Sequence, residues 1–268
     1  MFLTGKKTFL VLCFIVAGFN LQSQSISTFE MLNKYNKLGF SIGGAMFEYP
    51  KINPLEGSYT IKPIPIPSYS FGITFNIPIK THWSIETGIF MVNEPSIFSK
   101  IVIPKEELFE DSFQDLEFET KMYSIYSTSL PILFKYNFEI DKKTILNIQM
   151  GLKLMYIIPN FSIGKISIGL SDNTIYSLLR IYTDSPDEYI TGSFVYGIGY
   201  SYAFKYCLIT TSLKHIINFQ NTNNGYYYIT NLKNSADSYG EYKLSGDYFS
   251  LNLNFQFLKF KSKKKVVK

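Results

Sequence analysis

The chain has 268 residues, 17% of them aromatic and 18% charged, with a formal net charge of +5 at pH 7. Lys259, Lys261, Lys263, Lys264, Lys265 and Lys268 carry that excess at the very end, so no basic face remains for nucleic acid. No cysteine pair remains after the leader to cross-link the chain or build a thiolate metal cluster, because Cys207 stands alone there.

Residues 1–25 read as a secretory signal peptide. Lys6 and Lys7 give a positive n-region, and residues 8–19 give an apolar run too short to span a membrane as a helix. Cys13 is discounted as a lipidation site, because Leu12 before it is not small and the apolar run continues. Residues 26–260 then form one domain, and 261–268 form a basic tail.

Residues 25–36 are a polar lead-in. The first strand is expected over 37–49, with Leu38, Phe40, Ile42 and Met46 on one face and small residues on the other. A Pro-rich connection follows, since proline removes ladder donors. The second strand, 68–77, alternates Tyr69, Phe71, Ile73, Phe75 and Ile77 with Ser68, Ser70, Gly72, Thr74 and Asn76. The third, 83–92, starts at Trp83, which suits a membrane interface. Residues 93–121 read as a long acidic loop in which Phe109, Phe113 and Leu116 have the spacing of one short amphipathic helix.

Residues 122–158 read as a hairpin turning at EIDKK, with both arms alternating at period two. The arms are longer than ordinary soluble strands and match the roughly 9–11 residues that cross a bilayer. Further strands are expected over 190–204, 206–219 and 247–257. ISIGL at 166–170 and IYSLLRIY at 175–182 flank a turn and read as a hairpin above the membrane.

Connections after the odd strands are long and those after the even strands are short. Outer-membrane barrels show this alternation, with short periplasmic turns. The reading is all-β: an eight-stranded antiparallel transmembrane β-barrel after an N-terminal signal peptide, in the outer membrane of a Gram-negative bacterium. A soluble lipocalin-like barrel is the alternative, and it would need its apolar side chains inside.

At SLPILFKYNF, residues 129–138, the chain resembles the porin-like β-barrel domain family of Bacteroidetes outer membranes, which includes the PorT-like proteins. The matching residues are Pro131, Ile132, Leu133, Phe134, Lys135 and Tyr136; MGLKLMY and YGIGYSY fit the same plan. The resemblance covers nearly the whole mature chain and brings no catalytic residues. The Lys-rich tail departs from the usual terminal aromatic. One branch of the family assists a secretion apparatus.

Glu86, Lys135, Lys153 and Gln149 fall on the inward parity of neighbouring strands. Glu86 and Lys135 lie at similar depth and are expected to pair, because an unpaired buried charge is costly. With Asn147, Gln149 and Asn76 nearby, they would plug the pore. His82 and His215 read as structural; two residues after His215 stands Ile217, where lipid A deacylases carry Ser.

The expected role is therefore non-enzymatic and without cofactor or metal: a structural or accessory barrel of a membrane or secretion assembly. Its expected partners are outer-membrane lipid and other outer-membrane or periplasmic proteins. A small-solute transport barrel and a lipid-modifying enzyme are the alternatives.

Overall fold

The computed structural model describes residues 28–109, 114–157, 161–169, 175–184 and 190–259. The signal-peptide segment 1–25 and the basic tail 261–268 lie outside the described residues. Helix α1 (Thr28–Asn33) leads into β1 (Tyr35–Phe47), β2 (Lys51–Glu56), β3 (Lys62–Pro63), β4 (Ile66–Pro78) and β5 (Trp83–Ile103). A 3-10 turn (Lys105–Glu107) precedes β6 (Leu116–Asp141), β7 (Thr144–Tyr156), β8 (Phe161–Gly169) and β9 (Ile175–Asp184). The chain ends with β10 (Ile190–Ala203), β11 (Cys207–Asn218), β12 (Asn223–Ile229), β13 (Ser238–Leu244) and β14 (Tyr248–Leu258).

Eight of these strands close a ring in the order β1, β4, β5, β6, β7, β10, β11, β14 and back to β1, every pair antiparallel. Closure leaves no unpaired edge in the wall, which is the condition for crossing lipid with strands. No described helix is long and apolar enough to cross a membrane.

The pleat sorts the side chains by parity. Phe40 lies opposite Ile73 and Phe255, and all three face outward. One residue position further, Ser41 lies opposite Gly72 and Asn254 on the inner face. Large apolar residues such as Phe71, Ile89, Phe134, Leu152 and Leu251 are exposed on the outside, while Ser, Thr, Asn and Gln are buried inside. The wall is thus inverted relative to a soluble lipocalin-like barrel, with its apolar face outward. Trp83 packs edge-on to Tyr136 at the short-turn end, as an interfacial aromatic does.

The structure corrects three parts of the sequence reading. The acidic segment 93–121 is mainly ladder: β5 and β6 stay paired from Asn93↔Tyr126 out to Ile103↔Leu116. Its apolar residues Ile97, Ile101 and Ile103 are buried, and its charges pair along the ladder, with Lys100 2.5 Å from Glu117. The lead-in 25–36 contains α1, whose Met31 and Leu32 are buried. The long connections also supply β2, β12 and β13, which join the β8–β9 hairpin in a five-stranded sheet ordered β2-β13-β12-β9-β8.

That second sheet stands at the long-loop end. Its inner face packs Leu179, Ile181, Tyr227, Ile229 and Tyr242 against Ile97, Ile101 and Ile103 of the β5–β6 extension. Two glycines make the fit. Tyr227 covers Gly240 across the ladder and Tyr242 covers Gly225, and a Cβ on either glycine would fall within 2.6 Å of the ring. This is the reciprocal use of aromatic residues over strand glycines. Both buried phenols are satisfied, Tyr227 by Thr60 at 2.9 Å and Tyr242 by Thr183 at 2.6 Å. β2 follows β1 and β13 precedes β14, so the β2–β13 pairing repeats outside the wall the β1–β14 pairing within it.

Candidate functional site: a lumen closed in tiers

Side chains close the interior at both mouths and across the middle. At the short-turn end, Met31 and Leu32 of α1 pack with Tyr35, Ile145, Ala203 and Leu208. Tyr35 donates its hydroxyl to the Phe204 carbonyl at 2.9 Å, which fixes the helix under the mouth.

Above this lies an uncharged polar tier. Asn254 donates to Thr74 at 2.7 Å, Asn137 donates to Ser84 at 3.1 Å, and Ser201 and Thr210 are 2.8 Å apart. Gln149 is buried here, opposite Lys135 in the ladder, and its amide atoms have no hydrogen-bond partner among the described residues.

The next tier is ionic. Lys135 donates to Glu86 Oε2, and Lys214 donates to Glu86 Oε1 at 2.8 Å. All three residues are under 9% exposed. β5 and β6 are neighbours, but β11 lies opposite β5 in the ring, so the Glu86–Lys214 bond crosses the whole lumen. Both carboxylate oxygens are used, which is the geometry a buried ion pair needs to offset its desolvation.

Lys153 does not join this cluster. Its ammonium donates to the Tyr248 hydroxyl at 3.1 Å and lies 4.9 Å from that ring's centre. A cavity of about 40 Å³ opens beside it, bordered by Lys214, Ser129 and Asn252. An apolar tier of Phe47, Ile66, Val92, Val195 and Ile216 begins at the cavity wall and fills the bore beyond it, capped by Phe98 from the β5 extension and Leu244 from β13.

Lys214 is the member that the sequence reading missed. Its signal was parity: it lies between outward Leu213 and His215 and on the same face as Ser212 and Ile216. His215 is on the outer face, stacked on Phe249 with ring centres 4.1 Å apart and bonded to the Tyr196 hydroxyl at 2.7 Å. His82 sits at a short turn, 3.2 Å from the Asn137 carbonyl.

Outside the bore, Glu107 latches the cap. It is buried, and its Oε2 accepts the backbone N–H groups of Asn234 and Ser235, each at 3.0 Å. Its Oε1 accepts the hydroxyls of Ser235 and Tyr59. The Ser235 hydroxyl bond, followed by the Asn234 N–H and the Tyr59 hydroxyl, holds the carboxyl below its ordinary range. The opposite face of the cap sheet is open. Tyr226, Tyr228 and Tyr239 stack there, with Tyr228 and Tyr239 4.8 Å apart, beside exposed Lys165, Arg180 and Lys243.

Inverted polarity, a closed ring of strands and alternating short and long connections define an outer-membrane β-barrel protein. The chain belongs to the family described as "Outer membrane protein beta-barrel domain", which matches residues 20–237. It is located in the outer membrane of a Gram-negative bacterium. Similar solved structures include OprG from Pseudomonas aeruginosa, at 8% identity and TM-score 0.38, with 84% of this chain and 98% of that one covered. Neisserial surface protein A is 11% identical at TM-score 0.33, covering 84% of this chain and 98% of that one. The outer membrane protease OmpT from Escherichia coli is 8% identical at TM-score 0.33, covering 83% and 94%. No curated protein matches the chain.

Proposed function

We propose that this barrel is a non-conducting, non-enzymatic anchor that holds its cap sheet outside the cell as the docking face of a membrane or secretion assembly. The observation that carries the reading is the cap itself. Five strands drawn from three separate connections form one sheet with its own buried core. Loops that only closed a wall would not need that core.

The open face supports a protein partner in particular. Tyrosine and arginine dominate the binding energy of protein interfaces, and three tyrosines stand together there beside Arg180. The tiers of the lumen favour an anchor over a small-solute transport barrel. Three of its buried charges, Glu86, Lys135 and Lys214, bind one another across the bore, where a conducting path would present them to water. The segment 131–136 supports placing the chain among the Bacteroidetes PorT-like barrels.

The test is a mild-detergent pull-down of the tagged protein from its native membrane. A stoichiometric partner is expected, and Tyr228→Ala with Tyr239→Ala is expected to release it while leaving heat-resistant barrel migration intact. Recovery of the barrel alone, together with steady channels in planar bilayers, would overturn the proposal.

A further inference from the structure

We infer that the lumen binds a small monovalent inorganic anion, of the size of chloride, against Lys153. Glu86, Lys135, Lys153 and Lys214 are the buried charged residues of the described barrel strands. That is three ammonium groups for one carboxylate, and Lys135 and Lys214 already take both oxygens of Glu86. Lys153 has no ion pair among the described residues. It is 4% exposed. A buried ammonium without a counter-charge is one of the costliest arrangements in a protein interior.

The surroundings of Lys153 are built for an anion. One ammonium proton goes to the Tyr248 hydroxyl, and a second points at the Met155 thioether 3.7 Å away, a weak acceptor. The third is directed at neither. The adjoining cavity carries Ser129, Ser250 and the flank of Lys214 on its wall. Ser250 accepts a bond from Asn252 at 2.9 Å and so keeps its own proton to give. Phe90, Val92, Leu133, Val195 and Ile216 line much of the remaining wall, and this apolar lining strengthens the field of a nearby charge. A volume of about 40 Å³ is room for two or three waters, and so for a halide, but not for a sugar acid.

The experiment is thermal unfolding of the full-length protein in detergent, with chloride exchanged for gluconate at constant ionic strength. The Tm is expected to be about 5 °C higher in chloride and to saturate, as mass action requires for a ligand of the native state. Bromide is expected to replace chloride and to give an anomalous scattering peak beside Lys153 in crystals. Lys153→Met is expected to abolish the chloride dependence. Ser129→Val, which narrows the cavity and keeps the charge, is expected to weaken it, and decides the matter if the first variant does not fold. Equal Tm in both salts, a full chloride dependence in Lys153→Met, or bromide found only on the protein surface would overturn the inference. The result is independent of whether the cap binds a partner.

Discussion

Glu86 is the residue on which the closed interior depends. Its removal leaves two buried ammonium groups facing each other across the bore. Breaking a buried ion pair from one side costs about 3–5 kcal/mol, and replacing the whole cluster by apolar groups of similar size recovers much of it. Glu86→Leu is therefore expected to lower the Tm by about 10 °C. The triple change Glu86→Leu, Lys135→Met and Lys214→Met is expected to restore most of that, as read by thermal unfolding in detergent. Gly240→Val is the corresponding test of the cap, since its side chain would enter the Tyr227 ring. It is expected to expose the cap strands to protease and to leave the barrel folded. Glu86 and Lys135 were legible because they lie on adjacent strands at matching depth. Lys214 required knowing which strands face each other across the ring, and that is a property of closure.

Single elements divide the same way between pattern and packing. The wall strands were legible because lipid outside and polar side chains inside force a strict period of two over ten or more residues. The cap hairpin β8–β9 was legible too, but β12 and β13 hid because they are short and five of their eight inward positions are glycine, serine or tyrosine. The acidic character of 93–121 masked a ladder whose buried face is isoleucine and whose other face carries Lys100, Glu117 and Glu119. The latch on this extension has a definite pH response. A carboxyl held low in the folded state adds stability at pH above its ordinary value of 4.5 and loses it as pH falls through the lower folded value. The segment 230–237 is therefore expected to stay protected from hydrogen exchange at pH 7 and at pH 5, and to open under acid conditions below the ordinary carboxyl range. Glu107→Gln is expected to open it already at pH 7.

At the scale of the whole molecule, closure is redundant. α1 blocks one mouth, Glu86 and Lys214 bridge the middle, and Phe98 and Leu244 fill the other mouth. Replacing residues 220–244 by a short turn is accordingly expected to leave planar bilayers silent. Currents are expected only when residues 28–33 are also removed and Phe98, Glu86, Lys135 and Lys214 are changed to alanine. The overall plan was legible in the sequence because connection length alternates with strand number, a one-dimensional record of which end of each strand faces the cell. The partnership between loops was not, since β2 and β13 stand far apart in the chain and neither carries a sign of the other. That partnership bears on what the wall itself is able to do. Parting two neighbouring strands of a closed wall would open a sideways path to the bilayer at the cost of their ladder bonds, and the first and last strands meet at one such join. Here the strands just beyond that join are zipped as well, so parting the wall means prying open a second fastening on the far side of the membrane surface. A lateral exit at this join would have to part both pairings, one within the lipid and one beyond it.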